Sequence, residues 1–123
     1  MKNNQYIPSV TAQDVLRIVS RDFPEHERAG VLSTLRVYGN ESGITNANAR
    51  VHAAILKLGA GNVDLVREYV KAACSDYREV VGPAETPRFI QLCRSSRRMS
   101  DWDLEQLKRE DWAEYFDWLN RTC

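Results

Sequence analysis

The chain contains no run approaching the ~20 apolar residues that a membrane-spanning helix needs. Its opening stretch, Met1-Lys2-Asn3-Asn4-Gln5-Tyr6-Ile7-Pro8, also lacks the apolar segment of a secretory signal. A soluble, cytoplasmic protein is therefore the expectation. Cysteine is scarce: Cys74, Cys93 and Cys123 lie 19 and 30 residues apart, a spacing that makes neither a closed disulfide framework nor a CxxC zinc pair, so reduced thiols are expected. Cys74, among Ala and Val, reads as a small buried apolar residue, and Cys123 as a frayed terminus. With two histidines, and His26 flanked by Glu25 and Glu27, no metal site is expected; nor is a cofactor, since no phosphate-cradling loop or nucleophile elbow is found. No sign of charge prevails, 17 Lys plus Arg against 17 Asp plus Glu, which excludes a globally basic nucleic-acid binder and a poly-acidic tail.

What is present is helix arithmetic. The 123 residues are 43% hydrophobic and 28% charged with few Gly and Pro, which fits one globular domain over 1–123. Between the Gly and Pro marks, apolar residues recur at three and four rather than two. Thr11-Ala12-Gln13-Asp14 is a capping-box-like start for a helix carrying Ala12, Val15 and Val19 inward. Pro24 suits the first position of a second helix over about 25–38, stopped by Gly39 and followed by the turn residues Asn40 to Gly43. Ile44, Ala47, Val51, Ala54, Ile55 and Leu58 form the clearest stripe. Leu56 on its other flank and several alanines mark this third helix as central, with Gly59-Ala60-Gly61 closing it. His52 falls on its polar side. Asn62 caps a fourth helix with Val63, Val66, Val70 and Ala73 inward, and a short fifth runs from Tyr77 to Val81 before Gly82-Pro83. Residues 86–100 read as a connection with one helical turn near Phe89, and residues 1–10 as irregular. Ser100 then caps a final helix bearing Trp112, Tyr115, Phe116 and Leu119. No segment alternates as a strand does, so the class is all-α: a compact right-handed α-α superhelix (armadillo-like) or an irregular bundle of about six helices.

Two stretches carry a likeness: Arg50-Val51-His52-Ala53-Ala54-Ile55-Leu56-Lys57-Leu58-Gly59-Ala60-Gly61-Asn62, and Ala73-Cys74-Ser75-Asp76-Tyr77-Arg78-Glu79-Val80-Val81 with Ala84-Glu85. With the late Asp111-Trp112, Tyr115 and Trp118-Leu119, they resemble a family of small uncharacterised bacterial all-helical proteins with Arg-Val…Ala-Ile-Leu-Lys-Leu, Asp-Tyr-Arg-Glu-Val and Asp-Trp…Trp-Leu segments. The resemblance covers roughly residues 25–85 and 110–120 and implies an armadillo-like superhelix with no activity attached. Where members of that family carry Asp after the glycine, this chain has Asn62, which keeps the cap and removes a charge.

The most suggestive polar cluster is Asp76-Tyr77-Arg78. With Arg50 and Glu85 it reads either as a structural network orienting two helices or as a clamp for a carboxylate or phosphate. Charge is partitioned: residues 1–98 hold 14 basic and 10 acidic groups, and 99–123 hold 3 and 7. Arg88, Arg94, Arg97 and Arg98 crowd one connection and would track nucleic-acid phosphates or, more economically, dock onto the acidic last helix. All three Trp lie at 102, 112 and 118. Because 112 and 118 are about 240° apart on a helix, Trp118 and Trp102 are candidates for an exposed contact surface. These features favour a helical interaction module binding a protein partner or itself, with Arg50, Asp76, Tyr77, Arg78, Trp102 and Trp118 as candidate binding residues. The alternatives are a small acid–base enzyme built around Asp76 and Tyr77, and a nucleic-acid accessory using Arg88 to Arg98.

Overall fold

A computed structural model describes residues 9–39, 44–95 and 98–122, and over these the chain forms seven helices and no strand. They are α1 (Ala12–Asp22), α2 (Glu25–Val37), α3 (Ala49–Gly59), α4 (Val63–Ser75), α5 (Arg78–Glu85), α6 (Pro87–Arg94) and α7 (Asp101–Asn120). No helix among the described residues is long and apolar enough to cross a membrane. The turn expected at residues 40–43, the Arg97 guanidinium, Cys123 and most of the N-terminal stretch lie outside the described residues.

Local chemistry sets most of the helix starts. Thr11 Oγ1 accepts from the Asp14 amide at 3.2 Å while Asp14 accepts from the Thr11 amide at 3.0 Å, closing the anticipated capping box. Asn62 and Ser100 each accept from the amide three residues on, at 3.1 Å. Pro24 differs from expectation: it is the cap residue before α2, where its fixed φ of −68° serves equally well. The stop of α3 also shifts, because Gly59 belongs to the helix and Ala60 takes the left-handed cap at φ 50°. A Cβ on Gly59 would lie 2.8 Å from Val66 Cγ2, so this glycine permits the close approach of α3 and α4.

Helix α3 is the centre. Eight of its eleven residues are buried, and it packs against α1, α4 and α5. Covering a helix on several sides demands an apolar circumference rather than a stripe, which the run Val51 to Leu56 supplies. The last helix closes the far side: Tyr115, Trp118 and Leu119 are buried, and Trp112 and Phe116 are partly buried against the core. Arg17 and Arg21 of α1 lock its end, where four orphan carbonyls need donors. Arg17 donates to the Leu119 carbonyl at 2.6 Å, and Arg21 to those of Trp118 at 2.8 Å and Arg121 at 2.9 Å.

Three expectations are corrected. Cys74 is exposed: α4 turns Val66, Val70 and Ala73 inward, and the next residue, about 100° further round, points out. Residues 86–100 are more than a connection, since α6 forms there. His52 is fully buried rather than on a polar face, because α2 covers that side of α3; Tyr38 meets its ring edge-on at 6.0 Å.

The imidazole of His52 faces the carbonyl groups of Leu35 and Tyr38, yet neither ring nitrogen makes a hydrogen bond of acceptable geometry. Burial therefore dominates and holds the pKa of His52 below its ordinary value. A His that is harder to protonate when folded gives full stability above the unfolded pKa of about 6.5, and that contribution is lost as pH falls below it, at most ~1.4 kcal/mol per pH unit. His52→Leu, which fills the site without polar atoms, is expected to raise stability by about 1 kcal/mol at neutral pH. Its advantage over wild type is expected to widen between pH 7 and pH 5. Urea denaturation at the two pH values checks this, and an advantage that shrinks on acidification contradicts it.

Candidate functional site

The candidate binding residues divide between two places. Arg50 on α3 donates from Nε and Nη2 to the two carboxylate oxygens of Glu85 on α5, both at 2.7 Å. The Glu85 side chain is 3% exposed and that of Arg50 42%, so the pair has one foot in the core and one in solvent. The hydrogen bond to Glu85 raises the pKa of Arg50. Beside them the buried Tyr115 hydroxyl has no hydrogen-bond partner among the described residues; burial first, and then the Glu85 carboxylate, push its pKa above the ordinary tyrosine range. The Asp76–Arg78 pair, 3.0 Å apart, is local to the start of α5, where Asp76 Oδ1 also accepts from the Arg78 amide at 3.1 Å. That side-chain bond from Arg78 lowers the Asp76 pKa. Tyr77 is exposed between them. The Asp76–Arg78 pair forms no hydrogen bond with Arg50 or Glu85, and the Arg50 fork is already occupied by a carboxylate of the same chain.

The two tryptophans also separate. Trp102 is 73% exposed in the first turn of α7, as expected for a contact residue. Trp118 is 9% exposed, with the Arg21 guanidinium 5.2 Å from its ring centroid, so its expected place on an outer surface is corrected. The reason is that α1 extends over the C-terminal turn of α7 to cap it and covers this indole on the way.

What stands apart from the core is α6 together with the first turns of α7. Helix α6 touches α5 and α7, carries Phe89, Ile90 and Leu92, and buries none of its residues. One of its flanks, with α7, opens a hollow of about 450 Å³ lined by Arg88, Gln91, Leu92, Ser95, Met99 and Leu107. The other, with α5, opens one of about 360 Å³ that includes Pro83, Pro87 and Ile90. Met99 is 37% exposed.

The hairpin is held at its base by Asp111, whose side chain is fully buried. Asp111 Oδ1 accepts from the Arg88 amide at 3.2 Å and from Arg88 Nη1 at 3.0 Å, and Oδ2 accepts from the Phe89 amide at 3.1 Å. It thus does for α6 what an N-cap does, from another helix. The Arg88 Nη2 reaches on to Glu114 at 3.2 Å. The anticipated docking of an arginine from this stretch onto the acidic last helix is therefore found for Arg88, whereas Asp111 as the capping group was not foreseen. Beyond this base, Arg94 and Arg98 are exposed near the end of α6, and the first turn of α7 exposes Asp101 and Asp103, with Glu105, Arg109 and Glu110 exposed further along it.

Among the described residues no group of three or more His, Cys, Asp or Glu side chains is arranged to hold a metal ion. No protein-family model matches this chain, and no curated protein or solved structure matches it either.

Proposed function

We propose that this protein is a helical interaction module that associates with a second copy of itself through the α6–α7 hairpin. The observation that carries this reading is α6, an eight-residue helix whose Phe89, Ile90 and Leu92 are only half-buried between α5 and α7. Packing on α5 and α7 and the Asp111 cap hold this short helix, and the apolar area that they leave open is available to a partner surface. Charge selects the partner. A second hairpin related by a two-fold axis sets the Arg94 and Arg98 end of one copy beside Asp101 and Asp103 of the other, and the reciprocal contact is made at the same time. The exposed Met99 and Trp102 lie at that end and supply apolar area for the contact. The nucleic-acid alternative loses its first arginine, since Arg88 is spent on Asp111 and Glu114. The family resemblance bears on the helical scaffold alone.

Sedimentation equilibrium tests this reading. A monomer–dimer equilibrium is expected in the micromolar range, weakening several-fold as salt rises from 50 to 500 mM because exposed charges are screened. Arg94→Glu with Arg98→Glu is expected to give a monomer, and adding Asp101→Arg with Asp103→Arg to restore the dimer. A wild-type chain that stays monomeric at millimolar concentration, or charge variants that associate like wild type, would overturn it.

A further inference from the structure

At the opposite end of α7 from the hairpin tip, three helix ends meet around a hollow of about 630 Å³. Arg21 and Asp22 come from the end of α1, Lys57, Ala60 and Gly61 from the end of α3, and Glu114, Trp118 and Arg121 from α7 and the residue after it. The volume suits a small molecule.

The polar groups of this hollow are unequally satisfied. Arg21 is consumed by its surroundings: its side chain is 6% exposed and binds Asp22 at 2.8 Å besides two carbonyls of the α7 terminus. That contact neutralises Asp22. Glu114 in turn is taken by Arg88. Asp22 is thus matched by Arg21, and Glu114 shares Arg88 with Asp111, which leaves Lys57 and Arg121 as the cations of the lining with the loosest contacts. Among the described residues Arg121 pairs with the exposed Asp117 at 3.8 Å, a loose contact. Lys57 is half-buried, and among the described residues no carboxylate reaches it closely enough for an ion pair. It stands on α3, most of whose side chains are buried, and burial lowers its pKa; Glu114 and Asp111 oppose that shift and Arg88 adds to it. A half-buried ammonium without a partner is a cost that a bound anion would remove.

We propose that this hollow binds the phosphate group of a small phosphorylated molecule, with Lys57 and Arg121 as its cationic contacts. A tetrahedral dianion accepts from two cations reaching it from different walls, which a singly charged planar carboxylate does less well. Ala60 and Gly61 add no polar side chain to the lining. The rest of such a ligand would lie toward the edge of the Trp118 indole.

The test uses the full-length chain and inorganic phosphate as the probe, at constant ionic strength against chloride. Amide shifts of Ala60 and Gly61 in nitrogen–proton correlation spectra are expected to change saturably with phosphate. Lys57→Gln and Arg121→Gln should each weaken that binding at least fivefold, while Lys71→Gln, on the exposed face of α4, leaves it unchanged. Shifts that grow linearly and match those of chloride would overturn the proposal, as would a Lys57→Gln protein with unaltered affinity. A measurement on the wild-type chain stands independently of whether the variants fold. Acylation of Lys57 by an amine-reactive reagent, read by peptide mass mapping, is expected to slow at least fivefold in saturating phosphate. Equal labelling with and without phosphate overturns the proposal too.

Discussion

Asp111→Ala is expected to lower the unfolding free energy by about 3 kcal/mol and to bring the midpoint of thermal unfolding down by roughly 10 °C. Three donors depend on this carboxylate: the amides of Arg88 and Phe89 and the Arg88 guanidinium. Losing a cap costs ~0.5–2 kcal/mol by itself. Here the loss is larger, because the Asp111 side chain is fully buried and its removal leaves amide donors at the base of α6 unpaired as well as a gap in packing. Asp111→Asn keeps the shape and one accepting oxygen, and is expected to lose about half as much. Hydrogen exchange adds a local reading: the amides of α6 should exchange faster in Asp111→Ala by a larger factor than those of α3. A loss under about 1 kcal/mol, or uniform acceleration of both helices, would mean that α6 is held by something other than this carboxylate.

The second large effect concerns the pair that joins α3 to α5. Arg50→Leu strands the Glu85 carboxylate, whose side chain is 3% exposed, and is expected to cost about 3 kcal/mol. Glu85→Leu leaves behind an arginine that is 42% exposed and able to turn into water, so its expected cost is nearer ~1 kcal/mol. The double variant removes both charges and is expected to be more stable than Arg50→Leu alone. The asymmetry separates a structural pair from a recognition site, since a fork that existed to bind a ligand would show little change in the stability of the free protein. Guanidinium-chloride unfolding of the four proteins gives the full cycle. Equal losses for the two single variants would contradict the argument from burial.

Much of the scaffold was readable because it depends on residues close together along the chain. The Thr11 capping box and the Asn62 and Ser100 caps each need only three or four residues, and each formed as read. The central place of α3 followed from apolar residues on more than one flank. The Arg50–Glu85 pairing was legible as one of two readings, but its distances and its burial were not. His52 was misplaced because its cover comes from Leu35 near the end of α2 and Tyr38 just after it, and residues 14 or more positions upstream leave no mark on the periodicity of α3. Lys57 gave no local signal, since its isolation depends on Glu114 being occupied by Arg88.

The amino-acid sequence alone determined that this chain is helical, where most of its helices begin, and which segment forms the centre, because capping and 3.6-residue periodicity are short-range properties. Tertiary structure decided the rest. Helix α6 exists where the sequence reads as a connection because its cap is Asp111, 23 positions beyond Arg88. Trp118 is sealed while Trp102 stays open because α1 must cover the C-terminal turn of α7 to supply donors to its carbonyls. Each of these outcomes is a polar or apolar requirement of one helix met by a distant one, and only the fold brings the two together.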